Sequence, residues 1–171
     1  MDALIVVDMQ KGIFNKSIRV YDSDVLINQI NMMIDFCHYN MIPIIFLRYT
    51  GEIVLKENTE NWELITELHI DQNDIIIDKF GSDAFQTRKF LDVLEQYKID
   101  HVFVSGVFSH GCVQSTVLGA LHHNMSVSLI GDAHSNLAQN ALGIIQSVNE
   151  RMEKIGVRLL STENFINLTE R

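Results

Sequence analysis

The amino-acid sequence predicts an α/β fold, a single three-layer α/β/α domain in which helices cover both faces of a parallel sheet. Three observations predict it. Six short apolar runs recur along the chain, helix-periodic stretches fall between them, and the runs are apolar throughout, as strands buried on both faces are. Such alternation calls for right-handed crossovers, and in sheets of this kind ligands sit beyond the carboxyl ends of the strands.

The first run, Ala3 to Val7, stops at Asp8 and has no basic flank, which fits neither a signal peptide nor a membrane span. A helix over Asp24 to Tyr39 follows, with Asp22 or Ser23 as its cap and Asn40 with Pro43 as its stop. The second strand covers Ile42 to Leu47, and the polar stretch Tyr49 to Asn61 after it suits a lid or a subunit contact. A short helix is expected over Trp62 to Leu68, a third strand over Asp74 to Ile77 and a helix over Thr87 to Tyr97. Strand four, His101 to Ser105, leads through a glycine-bounded turn into a helix over Cys112 to His123. A fifth strand at Val127 to Ile130, a helix over Ala138 to Lys154 and a sixth strand at Val157 to Leu160 complete the pattern. No repeat, low-complexity tract or linker composition interrupts it, so residues 1–171 are expected to form one domain.

Bulk properties narrow the function. A net charge of -9 without a block of basic residues argues against a nucleic-acid partner. An apolar fraction of 47% over 171 residues supports a sizeable core. Two cysteines without paired spacing make no disulfide framework, and a reducing cytoplasm is the expected location, with no membrane partner.

Chemistry concentrates at the strand ends. The first strand ends at Asp8, the second at Arg48, the third at Asp78 and Lys79, and the fourth leads to Cys112. A carboxylate that takes a thiol proton, a cation that steadies the thiolate and turn amides that hold an oxyanion suffice for acyl transfer. Cys112 is expected at or next to the N-terminal turn of a helix, where free N–H groups and the helix dipole favour an anion and lower a thiol's pKa. Cys37, set between Phe36 and His38 in a helical stretch, reads as core. Gln10, Phe14, Arg48 and His110 are candidates for the substrate pocket. His110 is also explained as hydrogen-bonded turn structure, and Arg48 as the partner of a surface acid. His122 and His123 suit a helix C-terminus, and Asp132 and His134 are expected to be mainly structural.

Four blocks carry a resemblance: ALIVVDMQKGIF at 3–14, DKFGSDAF at 78–85, SGVFSHGCV at 105–113 and IGDAHSN at 130–136. In order and spacing they resemble the signature blocks of the isochorismatase-like cysteine hydrolases, a family that includes nicotinamidases, N-carbamoylsarcosine amidohydrolases, ureidoacrylate amidohydrolases and isochorismatases. The resemblance implies a six-stranded parallel sheet in the order 3-2-1-4-5-6 and a catalytic triad of Asp8, Lys79 and Cys112. It also implies a non-proline cis peptide between Val107 and Phe108, with the backbone amides of Phe108 and Cys112 forming the oxyanion hole. The implied reaction is hydrolysis of a small amide or related C–N bond through a thioester. It needs no metal and no organic cofactor, and family members are commonly homodimers or larger homo-oligomers.

The chain also departs from the family's patterns. Nicotinamidases carry a metal-binding Asp-x-His after the second strand, whereas RYTGEIVLKENTENW lacks histidine. Ser109 and His110 stand where family amidases often have Thr-Asp; the pair is closer to the Ala-His of true isochorismatases, which hydrolyse a vinyl ether and place glycine at the position of Cys112. Asp83 replaces a common serine, and the lysine block is a residue shorter after Phe85. A vinyl ether hydrolase and a non-catalytic binding or assembly relative are therefore the alternatives. A dinucleotide oxidoreductase is not supported, because no G-x-G-x-x-G follows the first strand.

Overall fold

Ala3 to Val7 are all fully buried, which only a strand covered on both faces achieves. In the computed structural model, which describes residues 1–169, this segment is strand β1 (Asp2–Val7) at the centre of a six-stranded sheet. Its neighbours are β2 (Ile44–Tyr49) and β4 (His101–Val107), beyond which lie β3 (Ile75–Lys79) on one side and β5 (Ser126–Ser135) and β6 (Arg158–Leu160) on the other. The order β3-β2-β1-β4-β5-β6 is as expected, and every pairing is parallel. Glu170 and Arg171, the end of the expected domain, lie outside the described residues.

Strand periodicity divides the core in two. Leu4 and Val6 point toward helices α2 (Ser23–Tyr39) and α6 (Thr162–Ile166), where they join Ile30, Met33, Phe46 and Phe103. Ala3, Ile5 and Val7 point to the other face, against α3 (Arg88–Gln96), α4 (Gln114–His122) and α5 (Ala141–Lys154), among Phe90, Val117, Val148 and Met152. At the carboxyl end β1 and β4 approach very closely: a Cβ on Gly106, which has φ +112°, would fall 2.3 Å from the Val7 carbonyl oxygen. Only glycine fits there.

Several elements differ from the sequence expectation. Trp62 to Leu68 is not a helix. Apart from one short 3₁₀ turn at Glu60–Trp62 it is an extended strap, tied to the chain after β1 by Lys11 N–H to Glu63 O (2.9 Å) and Ile65 N–H to Met9 O (2.9 Å). Its apolar spacing is real, since Trp62, Leu64, Ile65 and Leu68 are buried, but a seven-residue segment gains more from those tertiary bonds than from nucleating a helix. Helix α2 does begin after Asp22, yet Asp22 adopts a left-handed conformation and makes no side-chain cap bond. Strand β5 runs five residues past Ile130 by way of an irregularity in its pairing with β4. The short helix α6 was not expected; Ser161 caps it by accepting the Asn164 N–H at 3.1 Å.

Candidate active site

Asp8 follows β1 in a left-handed conformation (φ 51°), which aspartate tolerates better than most residues, and its N–H is anchored on Leu47 O at 3.0 Å. Lys79 is the last residue of β3 and is fully buried. The two meet across the carboxyl end of the sheet, with Lys79 Nζ donating to Asp8 Oδ2 at 2.9 Å and to the Gly81 carbonyl at 3.1 Å. The Tyr49 ring lies 5.1 Å from the ammonium and closes another side. Asp8 Oδ1 is buried and accepts no hydrogen bond of ordinary geometry. The Cys112 thiol lines the same cavity as this carboxyl.

The helix expected from Cys112 starts two residues later, which leaves the thiol next to its first turn. Ser109–Val113 forms one wide turn with a non-helical Gly111, and α4 begins only at Gln114, so the thiol precedes the helix. The Val107–Phe108 peptide bond is cis. The expected low thiol pKa is corrected as well. Burial pushes the Cys112 thiol up to about 12, the Asp8 carboxylate pushes the same way, and Lys79 offsets only part of this. Burial likewise holds the Asp8 carboxyl above its ordinary range, against the pull of Lys79.

A cavity of about 330 Å³ opens over these groups, lined by Asp8, Cys112, Val107 and Phe108 and walled by Ile13, Tyr49, Val54 and Leu55, with Lys16, Gly51 and Ser82. The four residues expected in the pocket are not part of its lining. Gln10 is fully buried, and its amide is taken up by Tyr49 N–H, Tyr49 O and Trp62 O. Phe14 is the last residue of α1 (Lys11–Phe14) and lines two other surface hollows instead of this cavity. Arg48 lies 3.5 Å over the Trp62 ring and donates to Asp78 at 2.7 Å and Glu63 at 3.1 Å. His110 is exposed and bonded to Asn136. Sequence reasoning missed Tyr49, Val54 and Leu55 as wall residues, although they belong to the stretch expected to form a lid or a subunit contact.

A larger groove of about 550 Å³ lies at the opposite end of the sheet, around Cys37, His38, Pro43 and Asp74. Burial and then the Asp74 charge push the Cys37 thiol far up, and no lysine stands beside it as Lys79 does near Cys112 among the residues that line the groove. Among the described residues no group of three or more His, Cys, Asp or Glu side chains could hold a metal ion, and no helix is long and apolar enough to cross a membrane.

Known proteins share this fold. A family model described as "Isochorismatase domain" matches residues 2–164. Isochorismatase family protein 1B of Dictyostelium discoideum is 27% identical over 173 residues, covering 96% of this chain and 76% of that protein. An isochorismatase-like hydrolase from Alkaliphilus metalliredigens superposes with a TM-score of 0.89 at 18% identity, covering 99% of each chain. A pyrazinamidase of Pyrococcus horikoshii, solved in complex with zinc, superposes with a TM-score of 0.82 at 23% identity, covering 94% of this chain and 98% of that one. The sheet order and a family match over nearly the whole chain agree: the chain belongs to the isochorismatase-like cysteine hydrolase family.

Proposed function

We propose that this chain hydrolyses a small amide or related C–N bond through a covalent thioester, with Asp8, Lys79 and Cys112 as its triad. The divided Asp8 carboxylate carries the proposal. One oxygen is held by the buried Lys79 ammonium at 2.9 Å, and the other is buried, free of ordinary hydrogen bonds and next to the only thiol that reaches the cavity. Asp8 Oδ1 takes the Sγ proton as sulfur attacks the substrate carbonyl carbon, and the amides of Phe108 and Cys112 hold the oxyanion. Collapse of the tetrahedral intermediate breaks the C–N bond, and the departing nitrogen takes the proton from Asp8. Water, deprotonated by Asp8, then cleaves the thioester to a carboxylic acid and restores the thiol. Lys79 fixes the carboxylate and steadies the anionic sulfur. No step passes through a metal.

A volume of about 330 Å³ is at the lower end for ligand pockets, so the substrate is a small molecule, and the Ile13, Val54 and Leu55 wall favours one with an apolar flank. Solved neighbours carry the names cysteine hydrolase and pyrazinamidase as well as isochorismatase, and the Cys112 thiol, which has no evident part in vinyl ether protonation, favours this reaction type. Exposed Ile53 and Phe80, on the loops after β2 and β3, support a homodimer or larger homo-oligomer, and the free thiols of Cys37 and Cys112 support a reducing cytoplasm. The test is an amide screen on the wild-type chain and Cys112→Ala, with circular dichroism as the fold control. The expected outcome is turnover lost with the fold intact, and an acid-quenched adduct on Cys112 in the wild type. Wild-type turnover in the Ala variant would remove the covalent mechanism.

A further inference from the structure

The irregular part of β5 has a purpose that the triad does not use. Along β4, only Ser105 separates the paired residues Val104 and Gly106, whereas Ile130, Gly131, Asp132 and Ala133 separate their partners Leu129 and His134 on β5. Such bulges re-aim side chains beside functional sites. Here the bulge delivers His134 opposite Gly106, directly beneath the turn that carries Cys112.

His134 is buried, and its ring nitrogens are both engaged: Nδ1 with Ser109 Oγ at 2.8 Å and Nε2 with Asn149 Oδ1 at 2.8 Å. The tautomer follows from the chain of bonds. Asn149 Nδ2 donates to Gly131 O at 3.0 Å, so Asn149 Oδ1 must accept, Nε2 carries the proton, and Nδ1 accepts from the Ser109 hydroxyl. Burial lowers the imidazole pKa against the weaker opposing pull of Asn149 and Asp132, which keeps the ring neutral as this bonding requires. Ser109 is itself fully buried, three residues before the nucleophile, and the next residue, His110, is bonded to Asn136 at the end of β5.

We propose that His134 is a positioning residue: through Ser109 it fastens the Cys112 turn to β5 and α5, and so keeps the thiol seated against Asp8. The catalytic meaning of this assignment rests on the cysteine hydrolase mechanism proposed above, but the fastening is measurable without any substrate. Releasing the turn would expose the thiol to water and return its pKa toward the ordinary value of about 8.5, and each unit of that return raises alkylation at pH 8 tenfold. Cys37, buried in the core, serves as an internal control for loss of fold.

The experiment measures iodoacetamide alkylation of both cysteines at pH 8 in the wild type, Ser109→Ala, His134→Leu and the double variant, with ¹⁵N NMR of the wild-type His134 ring. The expected result is a neutral Nε2–H ring, at least about tenfold faster alkylation of Cys112 in each single variant, unchanged Cys37, and a double variant no faster than the faster single one. A charged ring or an Nδ1–H tautomer would overturn the assignment. So would an unchanged Cys112 rate in Ser109→Ala, or single effects that multiply in the double variant. If His134→Leu unfolds, Cys37 reacts as well, and Ser109→Ala with the ring spectrum still decides. Failure of the amide mechanism shows separately, as absence of turnover in the wild-type chain with the ring tautomer and the alkylation pattern intact.

Discussion

Replacing Lys79 by Met keeps the stem but removes the ammonium, and Asp8 then has no partner on either oxygen. Both side chains are essentially solvent-free, with relative exposures of 0% and 3%, so water cannot replace the lost bond at 2.9 Å. Breaking a buried ion pair at one end costs about 3–5 kcal/mol, because the remaining charge stays buried. For a chain of this size that corresponds to a fall in Tm of roughly 6–20 °C. The pH dependence has a definite sign. Without Lys79 the Asp8 carboxyl, already above its ordinary range through burial, rises further, so the native state holds a proton that the unfolded chain releases. Stability relative to the wild type is therefore best near pH 4 and falls as pH rises toward the folded-state pKa. Urea unfolding at pH 5 and pH 8 measures this, and Lys79→Met with Asp8→Asn should recover most of the loss at pH 8. A loss below about 1 kcal/mol, or a double variant as unstable as Lys79→Met alone at pH 8, would refute the buried-pair account.

Asp8→Asn should abolish amide turnover yet speed alkylation of Cys112, since the carboxylate is one of the causes that raise the thiol pKa; slower alkylation would contradict the assigned electrostatics. The acid limb of the turnover profile should lie above the ordinary carboxylate range, because burial raises the pKa of the base, and a limb near pH 4 or below would count against Asp8 in that role. Gly119→Ala should cost about 1–3 kcal/mol by thermal denaturation, since its Cβ would lie 2.2 Å from Asp83 Oδ1, and Asp83→Ser should relieve it. Arg48→Lys should lose about 1 kcal/mol and not differ much from Arg48→Ala, because the lysine ammonium cannot both stack on Trp62 and reach Asp78 and Glu63.

The sheet was legible because strands buried on both faces need continuous apolar runs, and Ala3 to Val7 or His101 to Ser105 allow little else. Strand ends then placed Asp8, Lys79 and the Cys112 turn at one edge. What was not legible depends on where loops travel. Trp62 to Leu68 has helical spacing, but the path of the chain after β1 decides that its apolar residues close over α1 as a strap. Gln10 and Arg48 sit at strand ends, as pocket residues do, yet nearby backbone and acids claim their hydrogen bonds first. Asp83, which replaces the family's common serine, has a structural role. In the structure its carboxylate accepts the Phe85 N–H at 2.9 Å, and α4 approaches it with a glycine.

The thiol pKa is the most instructive miss, because the usual association of a catalytic cysteine with a low pKa assumes a helix end and a free cation. Here the helix starts two residues later, and Lys79 is already engaged by Asp8. Cys112 is held as a neutral thiol by burial and by the same carboxylate proposed to deprotonate it. This arrangement makes the base effective only when a carbonyl is present: sulfur gives up its proton as its new bond forms, and the charge moves at once onto an oxyanion facing backbone amides. A resting thiolate would be open to oxidation and adventitious alkylation; a half-buried neutral thiol reacts more slowly. The His134 fastening fits the same logic, since a turn free to swing outward would lose the burial that keeps the thiol neutral.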